Sequence, residues 1–135
     1  MTTQTAAWPL QQALFQRLEN DAELMATATG VYDAVLKDLK YPYITIGSPT
    51  TLNLETRSSF SEEFSVTIHS WSIAGGKKQS YVLLNAIHKA IGKGLPIGGP
   101  FRLLAVSRPE LQVIDDVDPR IKHGMARFKI TIKNM

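Results

Sequence analysis

Apolar and polar residues alternate most clearly at two places in this chain. Phe64, Val66 and Ile68 alternate with Ser65, Thr67 and His69, and Ala126, Phe128, Ile130 and Ile132 alternate with Arg127, Lys129, Thr131 and Lys133. A period of two puts successive side chains on opposite faces of a strand, so both stretches predict strands with one face on a core. The first runs from Glu62 to Trp71. Trp71 falls outside the register of Phe64, Val66 and Ile68, which requires either a bulge near Ser70 or a ring on the opposite face. Weaker strand patterns cover Val31–Val35, Tyr41–Gly47, Phe101–Val106 and Leu111–Val117, with an irregular strand at Thr51–Arg57. Pro42 lacks a ladder donor and places its strand start, or a sheet edge, at that point.

Two stretches carry a helical period instead. Leu10, Ala13, Leu14, Leu18 and Ala22 recur at three- and four-residue steps, predicting a helix from Pro9 to about Leu24. Val82, Leu83, Ala86, Ile87, Ala90 and Ile91 predict a second from about Gln79 to Ile91, stopped by Gly92 and Gly94. Gly75-Gly76 turns the chain between strand and helix, where a positive φ is expected of glycine. Helices set against mostly sequential strands define an α+β fold, a mostly antiparallel sheet with the two main helices packed on one face. Residues 1–8 read as a flexible N-terminal arm and 9–135 as a single domain.

Composition narrows the function classes without choosing one. With 44% hydrophobic and 20% charged residues among 135, the chain has the balance of an ordinary globular protein. No run approaches the roughly 18–20 apolar residues that span a bilayer, and the N-terminus lacks the pattern of a secretory signal. The absence of cysteine removes disulfides, thiolate catalysis and cysteine-ligated metals, and fits a reducing cytoplasm. A net charge of +3 with scattered lysines and arginines describes solvated faces rather than a dedicated nucleic-acid site.

No chemistry-bearing motif stands out. His69, His88 and His123 show no metal-ligand spacing and read as solvent-facing or hydrogen-bonding residues. Asp115, Asp116 and Asp118 lack the glycine and distal glutamate of a calcium loop and read as a capped turn. Ala74–Ser80 superficially resembles a phosphate cradle but lacks the P-loop spacing. No serine sits in a Gly-x-Ser-x-Gly elbow.

Several local phrases occur in a recognisable order: Pro9-Leu10-Gln11-Gln12-Ala13-Leu14, Val31-Tyr32-Asp33, Tyr41-Pro42-Tyr43-Ile44-Thr45-Ile46-Gly47, Ile68-His69-Ser70-Trp71-Ser72, and His123-Gly124 before Arg127-Phe128. Over residues 9–132 this order resembles the tail-completion family, the tail terminators of long-tailed phages and gene transfer agents. Two segments depart from the pattern: Leu36–Lys40 is more charged, and Pro96–Pro100 is a Gly/Pro-rich connection.

The resemblance implies structural work without catalysis, cofactor or metal. It implies a six-subunit ring at the head-proximal end of the tail tube that stops tube polymerisation and joins the head connector. The partners are then other copies of the chain, the tube protein and the connector or stopper, with DNA passing through the lumen without specific binding and no membrane contact. The location is the host cytoplasm during assembly and then the head–tail junction of the particle. A head-side closure protein is the nearest alternative, and a small ligand-binding or enzymatic domain a more distant one. Candidate contact residues are Leu52, Leu54 and Phe60 in a projecting Thr50–Ser61 loop, Arg57 with Glu62 and Glu63 as charge partners between subunits, and Trp71 as an aromatic anchor.

Overall fold

A computed structural model describes residues 4–34 and 38–135. In chain order the elements are helices α1 (Ala7–Glu19) and α2 (Ala22–Met25), strands β1 (Val31–Tyr32), β2 (Tyr43–Ile46), β3 (Thr50–Glu55) and β4 (Phe60–Ser72), helix α3 (Lys78–Gly92), and strands β5 (Phe101–Val106), β6 (Glu110–Asp115) and β7 (Lys122–Asn134). The α+β architecture expected from the patterning is the one observed. Residues 1–3 of the expected arm, Val35 of the first strand and the start of the Leu36–Lys40 link lie outside the described residues.

The two strongest alternations form the centre of the sheet. β4 and β7, each 13 residues long, pair antiparallel without interruption from Phe60↔Asn134 to Ser72↔Lys122. Each flank is a strand in two pieces. β2 and β3 lie in succession along one side of β4, and β5 and β6 along the outer side of β7. Both breaks carry a proline, Pro49 and Pro109, which cannot donate to a ladder. They fall at the same level of the sheet, beside the Val66↔Phe128 pair. β1 pairs parallel with β2 and closes one edge.

Cross-strand partners share a face, so the register sorts the side chains. Phe64, Val66, Ile68, Ala126, Phe128, Ile130 and Ile132 point to one side and are buried beneath α1 and α3. The helices contribute Leu10, Leu14, Leu18, Leu83, Leu84 and Ile87, all fully buried. Each large apolar side chain removed from water in this layer contributes about 1.5–3 kcal/mol. Toward the start of α3 the strand residues become small: Ser70 and Ser72 are fully buried, and Ser72 shares a hydroxyl contact of 3.2 Å with Ser80. Gly124 lies opposite Ser70 and directly under Leu84, leaving room for the helix to sit down on the sheet.

Several boundaries differ from the sequence expectation. The first helix stops at Glu19, and Asp21 starts α2 by accepting from Leu24 N–H at 3.4 Å. Ala7 and Trp8, placed in the arm, belong to α1, and Ala6 before them is fully buried. Val82 faces solvent at 46% exposure, and Leu84 takes its place in the core. Thr50–Ser61 is a β-hairpin rather than a loop, closed by Thr56 N–H donating to Ser59 O at 2.8 Å. Positive φ occurs at Gly94, just past α3, and at Gly99, whereas Gly75 and Gly76 do not need it.

Gly124→Ala drives its new methyl into the Ser70 hydroxyl and Leu84, and is expected to cost about 1–3 kcal/mol by overpacking. Gly75→Ala meets open space at an ordinary φ and is expected to leave stability unchanged or raise it by up to about 1 kcal/mol. Urea unfolding of the two variants beside the wild type distinguishes the sites.

Candidate functional site

The helices cover one side of the sheet, and the side chains between the core positions form the other. Along β4 and β7 these are Ser61, Glu63, Ser65, Thr67, His69 and Trp71, facing Lys133, Thr131, Lys129, Arg127, Met125 and His123. This open face has an aromatic end and a charged end, separated by the length of β4, about 40 Å at 3.3 Å per residue.

At the aromatic end Trp71 stacks on its cross-strand partner His123, ring centroids 3.9 Å apart and planes 11° from parallel. The strand is regular through Ser70, so the ring lies on the opposite face and no bulge is involved. Its indole N–H donates to Thr45 Oγ1 at 3.0 Å. Tyr43 stacks on Trp71 from β2 and is edged by Tyr32 and Tyr41. Burial, then Tyr41, raises the Tyr43 phenol above its usual value.

His69 and His123 share one hydrogen bond, Nδ1 to Nε2 at 2.6 Å. One ring must hold the proton and the other accept it, so the neutral pair is complete and a doubly protonated pair is not. Burial holds both imidazoles below the usual 6.5; the charges of His123 and Arg127 add to this at His69, while Asp116 opposes it at His123. Among the described residues no three histidine, cysteine, aspartate or glutamate side chains gather as a metal site.

At the other end β3 runs along the sheet edge as an exposed arm, paired with the start of β4, whose other side is paired with the end of β7. All six residues of β3 are exposed. Leu52 and Leu54 lie on the open face opposite Glu63 and Ser61, exposed by 59% and 40%. Arg57 is exposed in the turn, and Phe60 is half-buried between Glu55 and Asn134. The hairpin therefore brings Leu52, Leu54 and Glu63 together on the open face with Arg57 in the turn, while Phe60 lies on the other face of the same hairpin and Trp71 far along β4.

Glu62 separates from this group. It points to the helix side, is 2% exposed, and accepts from Ala6 N–H at 2.8 Å, Thr5 Oγ1–H at 2.6 Å and the Asn134 side-chain amide at 3.2 Å. A carboxylate engaged in this way within its own subunit is not available to pair with Arg57 of a neighbour. The helix-side register of Glu62 was readable from its two-residue step to Phe64. The pairing of His69 with His123 was not, because 53 residues intervene and only the β4–β7 register makes them neighbours.

A sheet with one covered face, one open face and an exposed arm is the frame of a small α+β protein whose developed features are its surfaces. The same frame is found in a chain of the native gene transfer agent virion, with a TM-score of 0.86 at 20% identity over 98% of this chain and all of that one. It is also found in the gp17 protein of bacteriophage SPP1, with a TM-score of 0.66 at 28% identity over 96% of this chain and 92% of that one. In sequence, residues 12–133 match the family model for tail completion protein gp17. Tail completion protein gp17 of Bacillus phage SPP1 is 31% identical over 134 residues, 99% of both chains. The chain belongs to the tail completion protein gp17 family, a family of virion structural proteins. The family resemblance drawn from the local phrases is thus shown. Among the described residues no helix is long and apolar enough to cross a membrane.

With both imidazoles held low, the unfolded chain takes up protons first as the pH falls past about 6.5. The contribution of the pair to stability is therefore full above that value and declines below it, down to the folded-state values. Between pH 7 and 5 the urea midpoint of the wild type is expected to fall more than that of His69→Asn/His123→Asn. Equal falls would assign the pH dependence to other groups.

Proposed function

We propose that the protein forms a ring, of six subunits by family resemblance, that caps the head-proximal end of the tail tube. In that position it halts addition of tube protein and presents a surface to the connector or stopper on the head. The observation that carries this reading is the exposed arm: a strand with every residue exposed, ending in a charged turn and carrying Leu52 and Leu54 on one side, has the form of a contact element. Family membership supports the setting, a tail being completed. Free passage of DNA through the lumen rests on the family resemblance; on the open face Arg127, Lys129 and Lys133 follow along β7 with Arg102 beside Lys133, against Glu63 and Glu110, so this face is not the one assigned to the lumen. The role is structural and proceeds without a cofactor. Assembly takes place in the host cytoplasm and the finished position is the head–tail junction.

Deleting the gene and imaging the particles by electron microscopy tests the capping role. Overlong tubes without heads are the expected outcome. Tails of normal length beside separate heads would leave only a joining function, as for a head-side closure protein, and particles of ordinary appearance would overturn the proposal.

The arm makes a separate prediction. Leu52→Asp/Leu54→Asp is expected to keep the wild-type circular dichroism and urea midpoint within about 0.5 kcal/mol, because both positions are exposed. The same protein is expected to fail to assemble on tubes. Normal assembly would remove the arm from the contact.

A further inference from the structure

The sheet has free edges on both sides, and they are not equally protected. An edge strand offers a row of unpaired backbone donors and acceptors, and native proteins blunt such rows with prolines, lysines, bulges or brevity. β1 is two residues long, and β5 bulges between Leu103 and Ala105. β3 and β6 have none of these devices. Each runs six residues in regular register without proline, lysine or arginine, and their acids, Glu55, Glu110 and Asp115, stand at strand ends.

The hydrogen bonds at the two turns fix which backbone groups face outward. Thr56 N–H donates to Ser59 O, and bonded pairs alternate along an antiparallel ladder. Thr50, Leu52 and Leu54 therefore bond to β4, while Thr51, Asn53 and Glu55 turn their backbone groups away from it. Counting likewise from Asp116 N–H, which donates to Ile121 O, Glu110, Gln112 and Ile114 bond to β7, and Leu111, Val113 and Asp115 face outward. Among the described residues no hydrogen bond reaches either outward row. β3, β4, β7 and β6 are four antiparallel neighbours, an even number, so β3 and β6 run in opposite directions. For the same reason both outward rows belong to residues whose side chains lie on the side of the sheet that the helices occupy.

We infer that β3 of one copy and β6 of the next join as antiparallel strands, so that one sheet runs on from subunit to subunit. The inference rests on the ring reading above and names the edges that build it. An outside segment would satisfy one edge and leave the other bare, whereas a further copy of this chain supplies both halves, with polarity and bonding phase already matched. Of the registers that the phase allows, the one opposing Asn53 to Val113 sets Leu52 against Ile114, apolar residues exposed by 59% and 39%, and puts no two acids opposite each other. Shifts by two residues set Leu54 against Glu110 or Leu52 against Asp116. Because the halves are different surfaces on opposite edges, the contact is heterologous. β3 lies against residues 60–65 of β4, and β6 against the part of β7 that pairs with residues 67–72, seven positions further along. Successive copies are therefore offset along the strands by about 23 Å. Such an offset tilts the strands against the axis, which closing a sheet into a ring requires.

The lack of native cysteine allows a direct test. Opposed residues of a non-bonded antiparallel pair lie about 4.5 Å apart between Cα atoms, close enough for a disulfide. Particles are assembled with Leu52→Cys/Ile114→Cys protein, oxidised, and run on a non-reducing gel. A ladder of multimers rising to the full ring is expected, with both single variants monomeric. Monomer alone, in particles whose tails are of normal length and contain the protein, would overturn the join while leaving the capping role intact. A dimer from Leu52→Cys alone would pair β3 with itself and overturn it equally. Proline tests the backbone separately. Asn53→Pro removes only an outward N–H and is expected to keep the wild-type circular dichroism while lowering particle yield at least tenfold. Leu52→Pro removes a bond to β4 and is expected to lower the urea midpoint. Wild-type yield from Asn53→Pro would overturn the main-chain pairing. Loss of the folded spectrum in Asn53→Pro would mean that its N–H bonds to β4, and would overturn the phase on which the join rests.

Discussion

The long antiparallel ladder between β4 and β7 is the interaction on which the rest of the molecule depends. It joins two strands of 13 residues in one unbroken register, and every other layer is set by it. A slip of β4 by one residue would turn Phe64, Val66 and Ile68 to solvent and bring Ser65, Thr67 and His69 under the helices. The apolar cost of that exchange holds the register. The register then decides which residues meet on the open face, where Trp71 stacks on His123 and His69 reaches across to the same ring.

The same ladder carries the exposed arm. β4 continues past its densest core contacts to Phe60, and its early residues hold β3 on one side and the end of β7 on the other. Glu62 secures this region from beneath. Its buried carboxylate takes donors from Thr5, Ala6 and Asn134, linking the start of α1, the base of the hairpin and the last strand. Burial of a charge is tolerated where several donors satisfy it. The arrangement gives an arm that is exposed along its length yet firmly rooted.

Both flanking strands break at a proline at one level of the sheet. On the β2–β3 side the break separates the aromatic cluster from the arm; on the β5–β6 side it exposes Arg108 between two leucines. The edges are consequently unlike each other.

The sequence by itself determined the fold class and the family. Period-two alternation located β4 and β7, the helical stripes located α1 and α3, and the ordered phrases from Pro9 to Phe128 carried the resemblance. These features were legible because they depend on neighbours close in the chain: a strand or helix face is a local repeat, and a proline or glycine break is a local conformational limit. Only the tertiary structure decided that Glu62 is an internal anchor, that Thr50–Ser61 is a paired arm, and that His69 and His123 share a proton. Each of those outcomes depends on partners far away in sequence: Ala6 and Asn134 for Glu62, and the β7 register for the histidines. The early end of α1 at Glu19 was decided similarly, by Asp21 turning inward to cap the next helix and meeting Lys93, just past α3, at 3.1 Å. A local pattern says which face is buried; what buries it, and what a buried polar group bonds to, is settled only when the distant strands are brought together.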